Sequence, residues 1–144
     1  MDERICYFFS FLIEGLVFWN YVSILFVPKY STKIRFVCLS SGFFILFLSS
    51  LHNVFLLNCI LYTTVCFLYL IFLYKTSWYY ALFHSLLFEV LTGACELPVY
   101  SFLSTFLTSA SLRAADFHLK LLFAVMSKTL FFAVMSVLLL WLKK

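Results

Sequence analysis

The chain has 144 residues, of which 65% are hydrophobic and only 11% are charged, and its formal net charge is +4. Soluble domains carry roughly a quarter charged residues, and a single water-soluble core of this length cannot hide so much apolar surface. The mean hydropathy of +1.09 therefore excludes an ordinary soluble domain and predicts an integral membrane protein. Because no basic helix or RNA-binding motif accompanies the positive charge, we expect no nucleic-acid partner and a lipid bilayer as the surrounding medium.

Apolar runs long enough to span a bilayer, which takes about 20 residues, recur along the whole chain. The first run stops at Pro28, and the polar segment 28–35 separates it from the second. The break at His52-Asn53 is short and predicts a tight antiparallel hairpin, whereas the segment 108–118 is the longest connection. The sequence therefore predicts an all-α integral membrane bundle of about five transmembrane helices, at residues 5–27, 34–51, 54–74, 78–107 and 119–142.

Lysine and arginine counts predict the orientation of this bundle, because cytoplasmic loops carry an excess of both. With the N-terminus outside, the inner side holds six basic residues and the outer side three. We therefore expect the N-terminus outside, the C-terminus in the cytoplasm and a multi-pass location in the cell membrane. The inner residues are Lys29, Lys33, Arg35, Lys75, Lys143 and Lys144, and the outer ones are Arg4, Arg113 and Lys120.

Four charged residues, Glu14, Glu89, Glu96 and Lys128, remain inside the predicted spans. Intramembrane charges usually face the bundle interior and pair with each other. With a rise of about 1.5 Å per residue, Glu14 and Lys128 lie roughly 13 Å from the outer ends of their helices and Glu96 roughly 16 Å. These three residues can therefore meet in the outer half, while Glu89 lies deeper and has no predicted partner.

We expect these four residues to form a ligand-binding polar core, with Glu96–Lys128 as its main ion pair, because their helices are neighbours in sequence. Three roles remain open for that pair. It is a bridge that fixes helix packing, a switch that responds to a ligand bound outside, or a carrier of protons or ions.

The fourth predicted helix combines polar residues with a glycine and a proline. Gly93 would let another helix approach closely, as small residues do in membranes. Pro98 lacks a backbone N–H and predicts a kink or local unwinding near residues 94–98. We therefore expect a hinge at Gly93 and Pro98. Polar residues at three- and four-residue steps are expected to share one face of this helix: Ser85, Glu89, Thr92, Gly93, Glu96 and Tyr100.

Nothing in the sequence indicates catalysis. It contains no Ser-His-Asp arrangement, no glycine-rich phosphate loop and no metal-ligand motif. The five cysteines lie inside apolar runs, without C-x-x-C or zinc spacing. We therefore expect no enzymatic activity, no metal and no cofactor.

Three stretches follow one another in an order that characterises a known family. FLIEGLVFWNYVSILF places Glu14 in the first helix, before the basic segment PKYSTKIR. LYKTSWYYALFHSLLFEVLTGACELPV places glutamates in a long helix after a basic turn, and FAVMSKTLFFAVMSVLLLWLKK places Ser127-Lys128 in the last helix. This order resembles the N-terminal membrane domain of the Agr-type peptide-pheromone-sensing histidine kinases, which carry a GHKL-type ATPase domain and occur in low-GC Gram-positive bacteria.

The resemblance implies a membrane sensor of a quorum-sensing two-component system. Such a sensor detects an extracellular peptide and transmits the signal through its last helix. The chain stops at Lys143-Lys144, where a kinase of this family continues. We therefore expect either an isolated sensor domain or a module that acts with a kinase, with another membrane protein or with a second copy of itself.

Two other functions remain open. A small transporter or proton-coupled carrier could use Glu89 and Glu96 as proton or cation sites. A non-catalytic subunit could pack beside a larger membrane complex, and nothing in the sequence favours or opposes this third hypothesis.

Overall fold

The computed structural model describes residues 2–51, 54–106 and 117–142, and these residues form five α-helices. Each helix contains a stretch of at least 18 residues that is long and apolar enough to cross a membrane. The protein is therefore an all-α, multi-pass membrane bundle. The helices are α1 (Asp2–Leu25), α2 (Thr32–Ser50), α3 (Phe55–Leu73), α4 (Trp78–Phe106) and α5 (Phe117–Leu142).

The five helices pack in a closed ring, in which each contacts its neighbours in sequence and α5 returns to contact α1. Helices α4 and α5 are antiparallel, since Phe88 meets Phe131 whereas Tyr100 meets Phe123. Helices α1 and α5 run in the same direction and can have no short connection. Their seam, which closes the ring, is therefore held by side chains alone.

The centre of the ring is an aromatic layer built around Phe88, which is fully buried. Its ring meets Phe18 of α1 edge-on at 4.9 Å between centroids and Phe131 of α5 at 5.1 Å, and it stacks on Tyr62 of α3 at 6.2 Å. Lipid tails are as apolar as these side chains, so the layer stabilises the bundle through close packing rather than through removal from water. Each aromatic pair contributes about 0.5–1.5 kcal/mol.

At one end of the bundle, the α1–α2 and α3–α4 connections pair with each other like two short antiparallel strands. The Lys29 N–H donates to the Leu73 carbonyl and the Lys75 N–H to the Val27 carbonyl, both at 2.9 Å. The Lys29 ammonium also donates to the Ile71 carbonyl at 2.7 Å, one of the acceptors that the end of α3 leaves free. The ends of α1 and α3 are therefore joined at this end.

We call this end of the bundle, formed by residues 26–33 and 74–77, the basic end. Lys29, Lys33 and Lys75 lie there, and all three are exposed. The sequence between Glu14 and Glu89 contains no Asp or Glu. The charge of the basic end is therefore not balanced by any acidic residue of α2, α3 or the two connections.

The close helix approach predicted at Gly93 is wrong, because no neighbouring atom lies within 4 Å of where a Cβ would stand. Of the kink or local unwinding predicted near residues 94–98, the unwinding does not occur, since α4 is helical from Trp78 to Phe106 with Pro98 inside it. The kink and the hinge at Gly93 and Pro98 stay predictions.

Of the polar face predicted for α4, only Ser85 is buried. The buried positions follow a three- and four-residue spacing of apolar and small residues, whereas Gly93 and Tyr100 are exposed and Glu89 and Glu96 are partly exposed. Each glutamate directly follows a buried residue and so lies about 100° around the helix from it. The glutamates therefore flank the interior. The buried residues of α4 are Ala81, Ser85, Phe88, Cys95 and Val99.

A close approach of two helices occurs instead at Gly42. A Cβ added to Gly42 would lie 2.8 Å from Cγ1 of Val65, which is closer than carbon atoms pack. The absence of a side chain at Gly42 therefore allows α2 and α3 to come together.

We predict that Gly42→Ala lowers the free energy of unfolding by about 1 kcal/mol or more, because the new methyl must displace Val65, whose branched side chain is stiff in a helix. The matched change Gly93→Ala places a methyl group in open space. It should raise the free energy of unfolding by up to about 1 kcal/mol, because alanine has a higher helix propensity than glycine. Unfolding in mixed micelles of rising SDS content measures both. Adding Val65→Ala to Gly42→Ala should restore stability, and equal effects at the two glycines would contradict the prediction.

Candidate functional site

Three charged side chains meet inside the ring, where α1, α4 and α5 come together. Lys128 of α5 donates a hydrogen bond to Oε1 of Glu96 on α4 at 2.6 Å. Its ammonium also forms an ion pair with the Glu14 carboxylate on α1. We call these residues the Lys128 cluster. One ammonium, which is 3% exposed, bridges two carboxylates that belong to two other helices.

The local sequence directs two of these charges inward. Lys128 starts a buried stripe of α5 that continues through Phe131 and Met135 at three- and four-residue steps. Glu14 starts the corresponding stripe of α1, which continues through Phe18 and Tyr21. Lys128 and Glu14 are each the first residue of a row of buried residues that packs against the aromatic layer. The packing of these two rows therefore brings the two charges together.

Glu96 differs from the other two members in its exposure. Its side chain is 42% exposed, whereas that of Glu14 is 7% exposed. Glu96 reaches Lys128 from the flank of α4, one position after the buried Cys95. The cluster is therefore closed on the α1 side and accessible at the Glu96 carboxylate.

A buried hydroxyl borders the cluster. Tyr62 of α3 is 7% exposed, and its hydroxyl lies beside the Glu14 carboxylate and the Thr92 hydroxyl. Among the described residues, none completes a hydrogen bond to the Tyr62 hydroxyl. Tyr62 can therefore donate a hydrogen bond to a polar group that enters the cluster.

Glu89 does not join the Lys128 cluster, although the sequence analysis grouped it with the other three residues. It accepts a hydrogen bond from Oγ1 of Thr63 on α3. Seven residues separate Glu89 from Glu96, which places it roughly 10 Å closer to the basic end. This partner could not be predicted from the sequence, because Thr63 and Thr64 are adjacent and only the rotation of α3 decides which one faces α4.

Two further features were not predicted. The Tyr21 hydroxyl and Nδ1 of His84 lie 2.5 Å apart and join α1 to α4. Arg35 lies in the first turn of α2 and is buried at 8% exposure. A possible signal was the spacing of Arg35 from Leu39 and Phe43, which continues the buried stripe of α2 to its first turn.

The described residues contain no group of three or more His, Cys, Asp and Glu side chains close enough together to hold a metal ion. The chemistry available in the Lys128 cluster is therefore that of charge and hydrogen bonding. A positively charged group that approaches Glu96 competes with Lys128 for the carboxylate, while Glu14 keeps Lys128 paired. This competition can change the contact between α4 and α5 without leaving an isolated charge in the membrane.

No family model matches the chain, and no match occurs among the curated proteins or the solved structures compared with it. The function must therefore be inferred from the Lys128 cluster and its surroundings.

We predict that Lys128→Met lowers the free energy of unfolding by roughly 3–5 kcal/mol, because it leaves the buried Glu14 carboxylate without a cation. Adding Glu14→Gln to this variant removes the orphaned charge and should recover most of the loss. Glu96→Gln alone should cost less than Lys128→Met, because Lys128 keeps its ion pair with Glu14. Unfolding in mixed micelles measures all three, and equal losses for the single Lys128→Met and the double variant would contradict the ion pair.

Thr63→Val is predicted to lower the free energy of unfolding by about 1–3 kcal/mol, because it removes the hydrogen bond to Glu89. The matched control is Thr64→Val, which should be nearly neutral. Thr64 is exposed and bonds only to the Ile60 carbonyl of its own helix. The same unfolding measurement compares the two variants, and a larger loss at Thr64 would show that Glu89 depends on another partner.

Proposed function

We propose that the protein is a membrane sensor module that detects an extracellular peptide signal and transmits it through α5. The observation that supports this proposal is the position of Lys128. It lies on the last helix of the chain and is held between a closed carboxylate on α1 and an accessible one on α4. A ligand that reaches the accessible carboxylate therefore acts directly on the last helix.

The ligand group that fits this site is a cation, such as the amino terminus or a basic side chain of a peptide. It binds Glu96 and takes the place of the Lys128 ammonium, which stays paired with Glu14. The Tyr62 hydroxyl supplies a hydrogen bond to a polar group next to that cation. A ligand shifts an equilibrium only by its difference in affinity for two states. Here, the favoured state is the one in which α5 has lost its bond to α4.

The expected orientation agrees with this role. The Lys128 cluster lies away from the basic end, where the lysine and arginine count predicts the cytoplasm. With the N-terminus outside, the cluster is in the outer half of the membrane, and an extracellular ligand reaches Glu96 without crossing the aromatic layer. The downstream partner is then a kinase or another cytoplasmic protein that responds to α5.

To test the proposal, we would add exported peptides of the source organism to the protein in lipid nanodiscs. Spin labels at Leu97→Cys on α4 and Val125→Cys on α5, both at exposed positions, report the distance between the helices. The native cysteines are replaced by alanine. We expect one peptide to bind and change this distance, and Glu96→Gln to weaken binding by roughly tenfold or more, the equivalent of one charge-assisted hydrogen bond.

The control variant is Glu89→Gln, which makes the same change on the same helix outside the Lys128 cluster. It should leave peptide affinity and the distance change intact. If no exported peptide binds and Glu96→Gln alters no response, or if both glutamine variants have the same effect, the sensor proposal fails.

A proton-coupled carrier is the second candidate, and the observation that favours it is the separation of Glu89 from the Lys128 cluster. Carboxylates at two depths of α4, one of them bonded to Thr63, would provide two successive proton sites. Proton flux into vesicles under an imposed pH gradient tests this function. We expect Glu89→Gln and Glu96→Gln each to abolish such a flux, and a flat response of the unaltered protein across pH gradients would exclude the carrier.

A further inference from the structure

We propose that the protein has a binding site for an anionic phospholipid on its α2–α3 face, with one acyl chain in a groove between these helices and the phosphate group at the basic end. This site is separate from the Lys128 cluster and does not depend on the proposed sensor function. Three observations support it: the groove, the unbalanced charge beside it, and a buried arginine without a carboxylate partner.

The groove lies between α2 and α3 and has a volume of about 260 Å³. On the α2 side, Cys38, Ser41 and Gly42 leave space between the larger lining residues Leu39, Phe43 and Ile45, and on the α3 side Leu68 and Phe72 form an apolar wall. Cys38, Ser41, Leu68 and Phe72 are exposed. Because both helices are long enough to cross the membrane, the groove faces hydrocarbon and its occupant must be apolar. An acyl chain meets this requirement.

The groove extends towards the basic end. Leu73 lines it, and the Leu73 carbonyl accepts the hydrogen bond from the Lys29 N–H. Lys33 and Lys75 are exposed at the same end, and no acidic residue occurs between Glu14 and Glu89 to balance them. A basic cluster of this kind attracts anionic headgroups, with each Lys or Arg near the surface contributing about 1 kcal/mol. The positive charges therefore stand where the headgroup of a lipid in the groove would lie.

Arg35 lies next to the groove through its backbone carbonyl, although its side chain does not line the groove. Tyr69, which lines the groove, donates its hydroxyl to the Arg35 carbonyl at 3.2 Å. The guanidinium lies over the rings of Trp19 and Tyr74, at 5.1 and 5.4 Å, and donates to the Tyr74 hydroxyl at 2.9 Å.

Arg35 is 92% buried, yet within the described part of the chain it has no ion-pair partner, and its Nε has no hydrogen-bond acceptor. A buried charge is costly without a counter-charge nearby. The phosphate of a lipid at the basic end supplies that counter-charge. A free anion could do the same, but it would leave the groove empty, so the two features together favour a phospholipid.

Native mass spectrometry tests this site on the detergent-purified protein, to which equal amounts of phosphatidylglycerol and phosphatidylcholine with identical acyl chains are added. We expect preferential retention of one phosphatidylglycerol molecule.

Ser41→Phe fills the groove and should abolish the preference for phosphatidylglycerol. Ser40→Phe is the matched control, since Ser40 is the neighbouring exposed serine of α2 and does not line the groove. Lys33→Gln should weaken retention about fivefold, the effect of one surface charge.

Thermal unfolding of each variant shows that it is folded, and inorganic phosphate serves as a separate probe of a free-anion site. Equal retention of the two lipids would overturn the proposal. It would also be overturned if the two phenylalanine variants behaved alike. Stabilisation by inorganic phosphate that equals that by phosphatidylglycerol, and that persists in Ser41→Phe, would show an anion site without an acyl chain and would likewise reject the phospholipid.

Discussion

The pairing of one lysine with two glutamates in a medium without water is the constraint on which the rest of this bundle depends. A charge in the hydrocarbon region is costly unless it is paired, and Lys128 pairs with helices at both sides of its own. Helices α1, α4 and α5 must therefore be neighbours, which requires the last helix to return to the first and close the ring. The aromatic layer around Phe88 lies directly below and can pack only when the ring is closed.

The interior changes in character from one end of the membrane to the other. The accessible, charged Lys128 cluster is followed by the dry aromatic layer, then by the Tyr21–His84 contact, and finally by Arg35 at the basic end. Lipid offers apolar side chains the same surroundings as the interior does, so hydrophobic burial cannot order these layers. Polar pairs and close aromatic contacts determine which faces meet, and the aromatic layer lies between the Lys128 cluster and the basic end.

The sequence predicted the helices well and their rotations poorly, for one physical reason. Span length and hydropathy are fixed by the thickness of the bilayer, and every observed helix begins and ends within about three residues of its predicted position. The common depth of Glu14, Glu96 and Lys128 followed from the helical rise. Which side of a helix faces inward did not follow, since lipid-facing positions are as apolar as buried ones. The error at Gly93, the unforeseen burial of Arg35 and the unforeseen partner Thr63 all concern rotation about a helix axis. The sensor function stays a prediction.

The parallel seam between α1 and α5 has a consequence for the time course of biosynthesis. Glu14 is made 114 residues before Lys128. At about 5–20 residues per second, the two are separated by roughly 6–23 seconds. During this interval, α1 is already made while its cation is not. The ring therefore closes only after α5 has been made. Until then, α1 must stay close enough to α5 for Glu14 and Lys128 to pair.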